Sequence, residues 1–515
     1  MCGLLFANYR PNSSELDKAM HALRPRGPDA QSVSVLDSII LGHTRLSIID
    51  VDARSDQPML GSDGDSHIIF NGEVFNYKEL AQQFQLKLKT SSDTEVVLEL
   101  FLRLGPNCLR HLNGMFSFVI YNARTKDLFI ARDRLGIKPL YVSEKNDKLI
   151  ISSAVEAIVP LLSERSVDEV AVRQYAKLRC LYRGHTFFKQ IKEFPAGYYR
   201  LNGKLIRYWS LPDEARDHDT IDFDELSWLI HDSIKIASVS DVKFSTLLSG
   251  GLDSSLISAV LNPRETWCVG LTYNNEFEYA ELAARHGLYE HKSITISKDQ
   301  FFACIEELLL AYGFPISVPN EVLIYHMAKY IAEKHKVVIS GEGADELFFG
   351  YDRIFNWAAN NAFSIRAFDK YYSYSAHNDL EIIDYVLEPY QGSGCCIEIV
   401  KSFFQIDHLR GLLTRLDRAT MQNSLEGRVP FCDHRLAEYM FNIKYEERVV
   451  AGVAKSPLKK YARGRIPDEL IQRKKVGFPV DLALLFDAEE GFGPWVKHNL
   501  KRTGFPCLED IRGDL

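Results

Sequence analysis

At 515 residues the chain is too long for one compact core, and two or three domains are expected. A composition of 46% hydrophobic and 25% charged residues is that of a soluble globular protein, and a net charge of -8 leaves no polybasic footprint for nucleic acid. No charged leader precedes an apolar run and no uninterrupted stretch of about 18 apolar residues occurs, so no membrane contact is expected and the chain reads as cytoplasmic.

The chain opens on Met1-Cys2-Gly3. Once Met1 is removed, Cys2 carries a thiol nucleophile and a free α-amine, whose reference pKa of about 8 suits it as the activating base. Residues up to about 200 alternate short strands, at 32–35, 39–41, 67–70, 116–121 and 128–132, with helical stretches at 16–23, 78–83 and 94–104. Asp63-Gly64 and Asn71-Gly72 read as turn dipeptides. The mixture predicts stacked antiparallel sheets with flanking helices. Residues 211–220, rich in Pro and Asp, read as a linker. From about Asp222 apolar strands alternate with longer helices: strand 243–248, helix 254–260, strand 266–271, then helix 324–333 before strand 336–339. That alternation predicts a parallel, doubly wound sheet. Beyond about Asp352 the chain is mostly helical. Nine cysteines, including the vicinal Cys395-Cys396, form no CxxC or Cys/His ligand set, and most are read as buried apolar residues in a reducing compartment.

The clearest chemistry lies in Ser249-Gly250-Gly251-Leu252-Asp253-Ser254-Ser255, after the apolar strand and opening a helix. Glycines let backbone N–H groups approach an anion, the helix N-terminus adds positive potential, and the three serines add donors. Asp253 inside a phosphate cradle would repel its ligand unless Mg2+ lay between them, which assigns it to metal. No GxxxxGK[ST] occurs, so γ-phosphate transfer of the Walker type is excluded. SGGxDS after a strand resembles the ATP-pyrophosphatase loop. Ser340-Gly341-Glu342-Gly343-Ala344-Asp345-Glu346 follows the strand at 337–339, with Asp345 the better second Mg2+ ligand and Glu342 a ligand or a base. Val269 is placed in the adenine wall, with Glu276 near the metal.

Cys2, Arg26-Gly27-Pro28-Asp29, Asn71-Gly72-Glu73, Ser91-Ser92-Asp93-Thr94-Glu95, SGGLDSS and SGEGADE occur in this order. Together with the segments 132–141 and 426–431 they resemble the glutamine-hydrolysing asparagine synthetases over almost the whole chain. The resemblance implies an N-terminal-nucleophile (Ntn) αββα sandwich at 2–210, a class II glutamine amidotransferase, followed by an ATP-pyrophosphatase domain at 220–515 with a helical C-terminal part. Cys2 would attack glutamine, with Asn71 and Gly72 as the oxyanion hole, Arg45 on the α-carboxylate, and Glu73 and Asp93 on the α-ammonium. In the second domain Leu247, Ser249, Gly250, Gly251, Asp253, Ser254, Ser255, Val269, Ser340 and Gly341 would bind ATP. Asp253 and Asp345 would hold Mg2+, and Lys455 and Glu342 would serve catalysis. Aspartate is the favoured acceptor, and a homodimer follows from the resemblance.

Departures from the family pattern are Ala154 after Ser153, Phe349 at a common glycine position, Cys432 in place of leucine and a short tail after Phe478. Ala154 and Phe349 bear on the domain interface or the acceptor pocket. The same chemistry on a sugar uronate or natural-product precursor is therefore an alternative, as is amide ring closure like that of the β-lactam synthetases. Ring-closing relatives generally lack the cysteine, and a non-catalytic homologue would be expected to have lost Cys2 or Asp253.

Overall fold

The computed structural model describes residues 2–373, 375, 377–392, 394–474, 480–487 and 491–506, so Met1, Phe478 and Cys507 lie outside the described residues. The first half holds two six-stranded antiparallel sheets. One runs Lys192–Glu193, Tyr141–Lys145, Lys148–Ser152, Gly3–Ala7, Ile39–Arg45, Ala30–Leu36 across its width. The other runs Lys204–Arg207, Tyr198–Leu201, Leu128–Arg132, Gly114–Asn122, Ser66–Val74, Met59–Leu60. Leu4, Phe6 and Leu41 of the first sheet meet Ile69, Val119 and Ile130 of the second in one buried cluster, as expected of strands whose alternate residues share a face. The Ser13–Leu23 helix, started by an Asn12/Glu15 capping box, packs outside the first sheet, and the Asp93–Leu104 helix, capped by Ser92, packs outside the second. This is the αββα sandwich.

Asn71-Gly72 is a correction to the sequence reading. It lies within the Ser66–Val74 strand, whose pairing to Gly114–Asn122 continues through Asn71 opposite Ser117 and Gly72 opposite Phe116. A Cβ at Gly72 would stand 2.1 Å from the Met115 carbonyl oxygen, so glycine serves the close approach of two strands here and makes no turn.

The second half is built on a five-stranded parallel sheet in the order Glu290–Ile296, Glu265–Leu271, Phe244–Leu247, Val337–Ile339, Glu426–Arg428. Between the halves, 211–220 is tied down: Leu211 is buried, and the Arg216 N–H donates to the Glu438 carbonyl at 3.1 Å while the Arg216 carbonyl accepts from the Asn442 side chain at 2.9 Å. The C-terminal helices enclose a third cluster in which Phe349, Phe355, Phe403 and Phe404 pack with Leu178 and Tyr182 of the first half. Phe349 adopts a left-handed conformation (φ 58°) of the kind that favours glycine; it bears that cost while stacked on Phe355 and under the Arg448 guanidinium. It is buried in that cluster and is not among the residues lining the cavity at the carboxyl ends of the parallel strands. Ala154 is buried at the start of the Val155–Ile158 helix, in a core shared with Trp267 and Phe301 of the second half. Of the vicinal cysteines, Cys396 packs in the core and Cys395 is exposed.

Candidate functional site

Cys2 stands at the head of the Gly3–Ala7 strand, in the middle of its sheet and 7% exposed. Its backbone N–H donates to Asn71 Oδ1 at 3.1 Å, which joins the nucleophile candidate to the oxyanion candidate across the two sheets. While Met1 is attached that nitrogen is a peptide amide; the α-amine exists only after its removal. Burial pushes the thiol up, opposed by a hydrogen bond from the Leu46 amide and by the Arg45 charge. The thiol is therefore protonated at rest and needs a base. The Asn71 side-chain amide makes one long contact, 3.4 Å to Ser117 Oγ.

Arg45 closes the Ile39–Arg45 strand, and its guanidinium is gathered by the 49–56 loop: 2.8 Å to the Asp52 carbonyl, 2.7 Å to Asp56 and further bonds to the carbonyls of Ile49 and Asp50. Glu73 and Asp93 are both buried. Asp93 accepts the Val74 N–H at 2.9 Å, and burial lifts it to about 6 against the pull of the Val74 and Thr94 amides. Glu73 is pushed well above the carboxylate range by burial, Glu426 and Asp93, with Arg428 opposing. Its Oε2 makes no hydrogen bond among the described residues. Two buried carboxylates held in this way favour an incoming cation such as an α-ammonium.

The pyrophosphatase candidates converge at the carboxyl ends of the adjacent Phe244–Leu247 and Val337–Ile339 strands, where open α/β sheets bind ligands. A cavity of about 560 Å3 opens there, lined by Leu247, Ser249, Gly251, Asp253, Ser254, Ser340, Gly341, Glu342, Asp345 and Lys455. Gly251 caps the Leu252–Leu261 helix, which places Asp253 in its first turn. Gly250 has a φ of 71°, and a Cβ there would meet the Tyr279 backbone at 2.3 Å; it shapes the loop from beneath. Ser255 is buried in the helix, and Val269 packs in the core with Trp267 and Leu271; neither lines the cavity. Val269 faces inward because every residue of its strand is buried, so apolarity alone could not tell core from pocket.

Lys455 starts the Ser456–Ala462 helix, and its ammonium stands 2.6 Å from both Asp253 and Asp345. The two acids thus form one cation-holding pair, and Asp253 Oδ1 is buried with no hydrogen-bond partner among the described residues. Two convergent hard-oxygen donors, one with an unused lone pair beside a glycine-lined cradle, fit Mg2+. Glu276 lines the same cavity but is engaged by Arg473, away from that pair. Glu342 is held by Arg415 at 2.5 Å. Arg415 and Arg473 are functional candidates that the sequence reading passed over. Each lies outside a glycine-rich motif, and Arg415 carries only the signal of an arginine run on one helix.

Behind Cys2 the halves interlock through charge. Arg26 donates to the Cys2 carbonyl at 3.2 Å and to Asp417 of the Leu409–Met421 helix at 2.8 Å. Arg428, paired with Glu426 at 2.6 Å, reaches Glu73 at 3.8 Å. Lys138 donates to the Gly427 carbonyl at 3.4 Å.

The profile of the family described as "Glutamine amidotransferase domain" matches residues 1–209, and that described as "Asparagine synthase" matches residues 225–388 and 403–507. Asparagine synthetase [glutamine-hydrolyzing] 3 of Bacillus subtilis is 30% identical, over 90% of this chain and 84% of its own length. Asparagine synthetase [glutamine-hydrolyzing] 1 of the same organism is 28% identical, over 98% and 90%. Asparagine synthetase B [glutamine-hydrolyzing] of Escherichia coli is 32% identical, over 66% and 62%.

Proposed function

The chain belongs to the asparagine synthase family, and from that premise we propose that it hydrolyses glutamine and uses ATP to convert aspartate into asparagine, releasing AMP and pyrophosphate. We assign the amidotransferase domain to residues 2–210 and the synthase domain to 220–515. The observation that carries the reading is the coexistence of two built sites: a cysteine beside Asn71 and two buried cation-seeking acids, and a glycine-rich cavity holding Asp253, Asp345 and Lys455.

In the first site the Cys2 sulfur attacks the glutamine carboxamide carbon. The thiol proton passes to the Cys2 α-amine and on to the leaving nitrogen, ammonia departs, and water then hydrolyses the thioester to glutamate. The Asn71 side-chain amide, with a donor to spare, and the Gly72 N–H receive the developing oxyanion. Arg45 orients the substrate carboxylate, and Glu73 and Asp93 the ammonium.

In the second site a carboxylate oxygen of aspartate attacks the α-phosphorus of ATP and expels pyrophosphate. Ammonia then displaces AMP from the acyl-adenylate and forms the amide. Mg2+, when bound by Asp253 and Asp345, neutralises charge on the triphosphate. Lys455 adds a positive charge at the same point, and Arg415 fixes the Glu342 carboxylate on the cavity wall. No described helix is long and apolar enough to cross a membrane, and a cytoplasmic homodimer is the assembly we infer from the family resemblance.

The test is turnover of a carboxylate panel with glutamine, ATP and Mg2+, following pyrophosphate and amide together. Aspartate should exceed every other acid by a wide margin. Silence with aspartate and turnover of a different acid would sink the assignment.

A further inference from the structure

A separate cavity of about 60 Å3 lies where the first half meets the Leu409–Met421 helix. A water needs about 10–15 Å3 of such space, so the cavity has room for roughly four to six water-sized groups, the size of one small oxyanion. Its walls carry four arginines: Arg179, just past the Glu169–Leu178 helix, and Arg410, Arg415 and Arg418 from the Leu409–Met421 helix. The one carboxylate in the lining, Glu193, is already committed to Arg132 at 2.8 Å and stands 3.8 Å from Arg410.

Arg410 is paired with Asp407, and the Glu321 and Glu156 carboxylates act on Arg418 from outside the lining, but these partners do not use up the donors of Arg179 and Arg415. Arg418 donates to the Tyr141 hydroxyl at 3.1 Å and lies over the Phe314 ring. Arg179 donates to the Ser373 carbonyl and covers Phe492, yet its Nε is buried without a hydrogen-bond partner among the described residues. Arg415 Nε is in the same state. These two residues are 7% and 8% exposed. Buried charged donors left unmade are costly, and two of them on one guanidinium-rich cavity select a negatively charged acceptor.

We propose that this interdomain cavity binds one small oxyanion of the phosphate class, held by Arg179, Arg418 and Arg415. Arg415 also lines the pyrophosphatase cavity, where it holds Glu342 at 2.5 Å. An anion in the smaller cavity competes with Glu342 for that guanidinium and so links its occupancy to the synthase site. The proposal concerns a second site and stands apart from the acceptor assignment.

The probe is inorganic phosphate, titrated calorimetrically into the full chain with the pyrophosphatase cavity filled by Mg2+ and a non-cleavable α,β-methylene analogue of ATP. The wild type should take up one phosphate per chain. Arg179→Gln and, independently, Arg418→Gln should weaken that uptake by at least about tenfold, while the KM for ATP in ATP–pyrophosphate exchange stays unchanged. No uptake by the wild type with the larger cavity filled overturns the proposal. So does undiminished uptake in either variant that retains the wild-type melting profile. Loss of phosphate binding has no bearing on which carboxylate is amidated, so the two readings fail separately.

Discussion

Arg26 and Asp417 form a buried ion pair at 2.8 Å that ties the carbonyl of Cys2, the proposed nucleophile, to a helix of the synthase half. Breaking such a pair by deleting one partner leaves an uncompensated buried charge and costs roughly 3–5 kcal/mol. Asp417→Ala should therefore lower the melting temperature. In the surviving folded protein it should depress glutamine-dependent synthesis more than ammonia-dependent synthesis. Equal losses in both activities would remove the pair from any role in coupling the sites.

Cys2→Ala should abolish glutaminase activity and glutamine-dependent synthesis while leaving synthesis from added ammonia near the wild-type rate. Intact mass of the wild type should lack Met1, because the Cys2 α-amine exists only after its removal. Retention of Met1 in fully active enzyme would contradict the proposed base.

Asp253→Asn should stop pyrophosphate release and spare glutamine hydrolysis. The variant leaves Lys455, now 2.6 Å from both Asp253 and Asp345, with one charged partner, and it removes a buried oxygen that makes no hydrogen bond among the described residues. Unchanged synthesis at limiting Mg2+ would take Asp253 out of the metal site.

Asp93 gives a pH signature. Its folded pKa, lifted to about 6, lies above an unfolded value of about 3.9. The stability it contributes is thus complete below about pH 4 and lost as pH rises through 6. Asp93→Asn keeps an acceptor for the Val74 N–H while removing the charge, so it should raise the melting temperature at about pH 8 more than at about pH 5. It should also raise the KM for glutamine. Equal thermal shifts at the two pH values would contradict a buried, perturbed carboxylate.

How far the sequence could be read follows from what each residue has to do. Strand 128–132 and the helices at 93–104 and 252–261 carry apolar periodicity and caps, so their existence was legible, and the glycine-rich loops announced the cavity. The Glu426–Arg428 strand was not legible: its two charged side chains pair with each other at the interface, which erases the apolar signal of a sheet strand. Asn71-Gly72 misled because glycine serves turns and close strand contacts alike, and only the Met115 carbonyl decides between them. Arg415 and Arg473 reach the cavity from segments distant in sequence, so no local spacing marks them.

The most direct measurement follows nitrogen. Glutamine labelled with heavy nitrogen at its amide is supplied with aspartate, ATP and Mg2+, and label is read in the products alongside pyrophosphate. The expected result is labelled asparagine amide matched by one pyrophosphate per amide formed. Glutamate production with all label released as free ammonium, and no labelled asparagine, would contradict a chain in which the two sites work as one enzyme.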